Sequence, residues 1–307
     1  MQTPRLIIAM FCLSVWTASA SATILDVGLG KPFAKPSDAA AAARDGDTIR
    51  IAPGQYFDCA VLPQNDLTIE GTGADVILTD KVCQGKALLV IDGNNVTVRN
   101  LTLQRARVPD NNGAGIRAEG GNLTVDHDRF LNNENGILSN ANPQASIRIV
   151  DSEFIGNGRC AANCAHGVYV GEIALLRVEH SRFFATREGH HIKSRALRTE
   201  IISNDIEDGP EGTASYLIDI PNGGSAIVEN NTLVKGSKTG NPGSAIMIGE
   251  EGVDRATDQL AFRNNHFTNE QNRSTIFVNN ITATPVQLSG NILKGQVRPL
   301  EGDGGTQ

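Results

Sequence analysis

The chain has 307 residues, with 27 basic and 34 acidic side chains and a net charge of −7. That balance excludes a general nucleic-acid binder, which carries a basic excess. The length allows one large domain or two small ones.

The N-terminus reads as a secretory leader. Arg5 is the positive flank, residues 6–15 are apolar, and residues 17–22 supply small side chains for cleavage. The apolar run falls short of the ~20 residues that a bilayer demands. Residues 1–22 are therefore expected to be removed, giving a secreted or periplasmic protein with no membrane span. Cys12 and Trp16 leave with the leader, and Cys59, Cys83, Cys160 and Cys164 remain. Three disulfide pairings are open to four cysteines. The local one, Cys59 with Cys83 and Cys160 with Cys164, is preferred.

Pro36-Ser37-Asp38 followed by residues 39–43, all alanine, predicts an N-cap and a short helix. Such a helix suits the exposed end of a stacked solenoid. Asp45-Gly46-Asp47-Thr48 then turns the chain into a strand over residues 49–52, ended by Pro53-Gly54. Beyond it a unit recurs: a short alternating strand, a small polar residue, a large apolar one, and an Asn/Gly-rich turn. Its large apolar positions are Leu103, Phe130, Phe154, Phe183, Ile206, Leu233, Phe267 and Leu293, spaced 23 to 34 residues apart. Two residues before each of the last seven stand Asp128, Ser152, Ser181, Asn204, Asn231, Asn265 and Asn291, a polar ladder. Periods of this length mark solenoids, whose units bury their apolar faces only on one another. The pattern predicts an all-β fold: a single-stranded right-handed parallel β-helix of roughly eight to ten coils with a short N-terminal capping helix. It spans residues 23–294, and the Gly/Pro-rich residues 295–307 are expected to form a flexible tail.

One stretch stands apart. Gly189-His190-His191-Ile192-Lys193-Ser194-Arg195 places two histidines, a lysine and an arginine within a turn and a strand. Around it lie Arg177, Arg182, Arg187 and Arg198 against Glu179 and Glu188. A basic island on an acidic chain points to an anionic ligand. A second set of strands aligns coil to coil through Ile116, Ile137, Val168, Ile192, Ile218 and Ile246. With these residues inward, alternation sends both neighbours outward. One outward column then reads Arg117, Leu138, Tyr169, Lys193, Asp219 and Met247, at a coil spacing of ~4.8 Å. Alternation also turns His191 and Arg195 outward beside this row, with His166 and His190 where the chain enters its strands.

These residue types suit one chemistry. Removing the proton next to the carboxylate of an acidic sugar needs a base and a cation for the developing dianion. Lys193 serves as the base if its pKa falls, which Arg195 promotes. Tyr169 or a histidine handles the second proton, and Arg195 grips the carboxylate. Expulsion of the linked sugar makes a lyase; reprotonation from the other face makes an epimerase. The catalytic candidates are Lys193, Arg195, His190, His191, Tyr169 and Asp219, with His166, Arg187 and Arg198 as substrate-binding candidates. No metal set is assigned and no cofactor is required. Calcium stays open, with Glu172, Glu250 and Glu251 beside Asp219, but it takes 6–8 oxygen ligands and no dense carboxylate motif is present. The expected partner is an acidic polysaccharide or oligosaccharide, met by a monomer.

The Ala-rich segment with Asp45-Gly46-Asp47-Thr48-Ile49 and Pro53-Gly54-Gln55-Tyr56, the repeat and the Asn ladder resemble the pectate-lyase-like right-handed parallel β-helix superfamily. The resemblance covers nearly all of the mature chain. Within that superfamily the chain is most similar to the group of chondroitinase-B-like lyases and mannuronan epimerases. Its members act mainly on acidic polysaccharides, in clefts along the outside of the helix. That resemblance implies base and carboxylate-binding or acid roles for Lys193 and Arg195. The Asp-Pro-His-Asp motif of the epimerases is missing, Asp126-His127-Asp128 being the nearest match. Two other readings stay open. One is a glycoside hydrolase pairing Asp219 with Asp208 or Glu211, which needs carboxylates ~5–9.5 Å apart. The other is a non-catalytic carbohydrate-binding or surface protein whose basic rung holds an anionic glycan.

Overall fold

The computed structural model describes residues 22–306, so the leader expected at residues 1–22 lies outside the described residues but for Ala22. The described chain winds into an all-β parallel solenoid of about 11 turns with one short helix. Three long sheets, of 12, 10 and 10 strands, run its length, and consecutive coils supply neighbouring strands.

The repeat positions stack as the spacing predicts. Leu103, Phe130, Phe154, Phe183, Ile206, Leu233, Phe267 and Leu293 pair coil by coil along one sheet. The rings of Phe130, Phe154 and Phe183 lie 4.5 Å apart and nearly parallel. Facing them are Gly115 and Gly136, where a Cβ would come within 2.7 Å of the Phe130 and Phe154 rings. Only glycine leaves that space for the stack. The turn count exceeds the eight to ten expected because the first coils have no polar ladder residue. Tyr56 and Leu78 hold the column positions of those coils without that mark.

The ladder itself is continuous. The backbone N–H of Ser181 donates to Asn204 Oδ1 (2.8 Å), that of Asn204 to Asn231 Oδ1 (2.8 Å), and that of Asn231 to Asn265 Oδ1 (3.1 Å). Each amide group also reaches a carbonyl of the preceding coil, as Asn204 Nδ2 does with Val178 O (3.0 Å) and Asn231 Nδ2 with Ile201 O (2.9 Å). These bonds satisfy turn groups that the solenoid buries. A second ladder of Asn133 and Asn157 runs in the following turn, unmarked by the first repeat column.

The ends differ from expectation in detail. The helix spans Pro36–Ala42 with Pro36 in its first turn and Lys35 as N-cap, without a side-chain cap. Pro36-Ser37-Asp38 is thus already helical, and the Ser37 N–H is satisfied by Asp58 Oδ2 (2.8 Å). Pro36, Ala39 and Ala40 are buried against the first coils. Residues 295–307, expected to be flexible, instead hold strands Val297–Glu301 and Gly304–Thr306, paired in register with Thr275–Asn280 and Val286–Ser289. Parallel pairing uses backbone groups, so a Gly-rich polar composition does not forbid it. Cys59 bonds Cys83, and Cys160 bonds Cys164 to close a small hairpin. Among the described residues no helix is long and apolar enough to cross a membrane.

Asp128 is the ladder's anomaly. It is fully buried, its Oδ1 accepts the Leu101 N–H (2.7 Å), and its Oδ2 has no hydrogen-bond partner. Burial pushes this carboxyl well above the usual carboxylate range. The folded protein therefore holds a proton that the unfolded chain releases above pH ~3.9, and stability is lost as pH rises. Asp128→Asn, the residue found on later rungs, should stabilise the fold by about 1–3 kcal/mol at neutral pH. Denaturant melts at several pH values check this: the gain should vanish in acid, where Asp128 is protonated in both states.

Candidate functional site

The outward column lies in register as the alignment predicts. Arg117 pairs with Leu138, Leu138 with Tyr169, Tyr169 with Lys193, Lys193 with Asp219, and Asp219 with Met247. Arg117, Leu138, Tyr169 and Lys193 of this column line an open groove of about 870 Å³ together with His166, His190, Arg195, Glu250 and Glu251, while Asp219 lies fully buried beside Lys193.

Strict alternation fails at one position, and this exchanges the two histidines. In these strands two successive residues face the core, such as Leu217 and Ile218. The outward positions are therefore three apart: His190 with Lys193, and Tyr216 with Asp219. His191 takes the inward position that glycine fills in Gly115, Gly136 and Gly167. It is fully buried, bonded to Thr186 Oγ1 (2.8 Å) and Asp208 Oδ1 (2.9 Å). The expectation that His191 faces outward is thus corrected, and His190 takes its place beside the row.

His166, His190 and Tyr216 form a ring stack on successive coils, with centroids 4.8 and 5.0 Å apart. His166 Nδ1 accepts the His190 N–H (3.0 Å), and His190 Nδ1 accepts the Tyr216 N–H (3.2 Å). Both neutral rings therefore carry their proton on Nε2. His190 Nε2 faces Asp219 Oδ2 at 3.4 Å. Burial, with Lys193 nearby, pushes His190 down to about 3. Burial also holds His166 well below the ordinary value. At neutral pH the stack donates hydrogen bonds but carries no charge.

Lys193 sits between two carboxylates. Its Nζ lies 3.1 Å from Asp219 Oδ2 and 2.5 Å from Glu251 Oε1. Burial works to lower its pKa, yet Asp219 and Glu251 outweigh it, and the ammonium is held above its ordinary value. The expected fall through Arg195 does not occur, because Arg195 is itself neutralised by Glu251. Asp219 is fully buried, and neither of its oxygens makes a well-aligned hydrogen bond. Burial pushes it up to about 7 against the pull of Lys193, with Glu250 adding to the rise. Arg195 donates through Nε to Tyr169 Oη (2.9 Å) and through its other nitrogens to Asn222 and Glu251. Tyr216 Oη donates to Glu250 Oε2 (2.8 Å).

Other candidates fall outside this groove. One coil passes through all three sheets, so neighbours in sequence separate in space. Arg198 lies on another sheet, paired with Glu200 (2.5 Å), and Arg187 is exposed on Asn132 Oδ1 (2.8 Å). Asp208 is buried, accepting the Gly236 N–H as well as meeting His191, and Glu211 pairs with Lys238 at the surface. Neither forms a carboxylate pair with Asp219 in the groove. His127 occupies a left-handed turn (φ 58°). Sequence alignment missed Tyr216 and Asn222. The three-residue outward spacing reveals Tyr216, whereas Asn222 carries no repeat signal.

His190, Asp219 and Glu250 bring potential ligand atoms within 4.8 Å of one another. They do not fit calcium. His190 Nε2 holds a proton rather than a free lone pair, and the Lys193 ammonium already lies against Asp219. Too few oxygens remain for a 6–8-coordinate ion. The neutral stack has a measurable consequence. Ring NMR should show His190 uncharged as pH falls through 6.5 towards about 3. Because the unfolded chain accepts those protons, stability should drop as pH falls below about 6.5. A His190 ring that protonates at its ordinary value contradicts the arrangement.

No family model matches the chain, and no curated protein matches it in sequence. Solved structures match in fold. An alginate lyase from Paenibacillus sp. str. FPU-7 aligns with TM-score 0.61 at 17% identity, over 90% of this chain and 99% of that one. The pectate lyase Pel9A aligns with TM-score 0.58 at 12% identity, over 92% and 80%. The ORF18 protein of Geobacillus virus E2 aligns with TM-score 0.53 at 14% identity, over 88% and 56%. At these identities the likeness shows a shared parallel β-helix fold.

Proposed function

We propose that the protein is a polysaccharide lyase acting on a uronate-containing chain, with epimerisation as the alternative fate of the same carbanion. The observation that carries this reading is the row of Tyr169, Lys193 and Asp219 on three consecutive coils of one groove, with Arg195 bonded to the Tyr169 hydroxyl. The alginate and pectate lyases that share the fold support a uronate substrate by analogy only.

Arg195 and Asn222 grip the sugar carboxylate and stabilise the dianion that forms when the neighbouring ring proton leaves. Lys193 takes that proton after passing one of its own to Asp219, 3.1 Å away. Taking an ordinary lysine as the floor, this transfer to a carboxyl near 7 costs at least about 5 kcal/mol. A turnover of about ten per second tolerates a barrier of ~16 kcal/mol, so the step is affordable. The electron pair of the broken C–H bond forms the ring double bond, and the linkage C–O bond breaks. The leaving oxygen takes the Tyr169 hydroxyl proton, and the phenolate faces the Arg195 Nε–H. The Lys193 ammonium, carrying the ring proton, then gives one proton to the Tyr169 phenolate on the neighbouring coil and takes the Asp219 proton in its place, which re-forms the starting state. Reprotonation of the ring carbon by Tyr169, in place of C–O cleavage, gives the epimer. Asp219 acts through Lys193 and is a positioning residue; His190 Nε2–H steadies its charge.

Incubation with alginate, polygalacturonate and glycosaminoglycan uronates should yield an unsaturated, ultraviolet-absorbing sugar, or solvent deuterium at the epimerised carbon. Lys193→Ala and Tyr169→Phe should each lower kcat about 10²–10⁴-fold. The wild-type rate should rise as pH passes about 7, where Asp219 becomes free to accept the proton. Asp219→Asn should lose that limb with KM little changed. New reducing ends without unsaturation would favour a hydrolase, and salt-sensitive binding without turnover a glycan-binding protein.

A further inference from the structure

Glu251 occupies the place that a substrate carboxylate would need. Its Oε1 meets Lys193 Nζ at 2.5 Å, and its Oε2 meets the Arg195 guanidinium. One carboxylate therefore bridges two cations of the groove, although it belongs to the protein. Its setting separates side chain from backbone. The Glu251 N–H donates to Pro221 O (2.9 Å), and the Gly249 N–H donates to Ile220 O (2.9 Å). Gly249 (φ 90°) and Gly252 (φ 114°) close the turn, in a region of backbone space that favours glycine. Yet the side chain is 40% exposed, and its ion-pair partners among the described residues are Lys193 and Arg195. Its neighbour Glu250 is held instead by the Tyr216 hydroxyl.

Charge decides whether an anion can bind here. Lys193 and Arg195 face Asp219, Glu250 and Glu251, so carboxylates outnumber cations around these two residues. A uronate added to that set meets net repulsion, while a uronate exchanged for Glu251 leaves the balance unchanged. We infer that Glu251 is a built-in occupant of the carboxylate-binding position on Arg195, and that acidic sugars enter by displacing its side chain, which also frees Lys193. The exchange needs only rotation of a glutamate whose backbone stays pinned. A half-exposed ion pair is weak, and the released side chain regains rotamer freedom. The exchange is therefore cheap. It also selects for ligands: a neutral sugar has no group to replace the lost partner of Arg195, so Glu251 keeps the position closed to it.

This inference rests on the lyase reading for its substrate class but not for its test, which measures binding alone. Sodium glucuronate and sodium galacturonate, with glucose as the neutral control, are titrated into wild type, Glu251→Gln and Glu251→Ala. Calorimetry reads affinity, and the Lys193 side-chain NMR signal reports the position. Removing the internal competitor should tighten uronate binding severalfold, up to about fivefold, with glucose unchanged. The Lys193 signal should shift on uronate addition at lower concentration than in wild type. Equal or weaker uronate binding by both variants overturns the inference, since Glu251 would then be no competitor. Tighter binding without unsaturated product from polymers leaves the exchange site standing and removes the lyase reading. Unsaturated product from polymers with unchanged monosaccharide affinity does the reverse.

Discussion

The outer face of this protein depends on the register of parallel strands from one coil to the next. A coil alone buries almost nothing; stacked, its Phe, Leu and Ile side chains form a continuous core. The Asn ladder fixes each turn to its neighbours, and the aligned apolar column permits no slip, since a shift of one residue would turn a core face to solvent. Tyr169, Lys193 and Asp219 meet only because that register holds over three coils. Their side chains lie outside the main core, although Tyr169 packs on a smaller outer cluster with Leu138. The groove is a by-product of the core.

Within the groove, burial and charge act against each other, and the outcome differs residue by residue. For His190, burial prevails and the ring stays neutral. For Lys193, two carboxylates prevail and the ammonium persists despite its burial. For Asp219, burial prevails even beside an ammonium, leaving a carboxyl poised near neutrality. A groove that looks basic in sequence is thus internally neutralised in space. Its chemistry is governed by which partner is exchanged, and Glu251 is the most exposed of those partners.

The fold by itself selects no activity. It is shared at low identity by an alginate lyase, a pectate lyase and a viral protein, and one scaffold hosts many sites. The argument for chemistry therefore rests on a few side chains and their contacts. The interior His191–Asp208 pair illustrates the difference: it has the residue types of a catalytic dyad but no solvent and no groove.

The repeat spacing, the ladder from Asp128 to Asn291, both disulfides and the column from Arg117 to Met247 were legible in the amino-acid order. Each is a local pattern repeated at coil length, and stacking converts such patterns directly into contacts. Three things were not legible. The two-residue inward step in each groove strand moved His190 into the site and His191 into the core, a break in the period of two that the residue order does not mark. Arg187 and Arg198 left the groove because one coil turns through three sheets, so residues near in sequence face different directions. Glu251 reached Lys193 and Arg195 from a loop 58 and 56 residues away and neutralised both, with Asp219 as a second partner of Lys193. Sequence alone determined which coil lies on which, since that follows from the period. The tertiary structure decided which charges cancel, since ionisation depends on burial and on distances between coils that no spacing encodes.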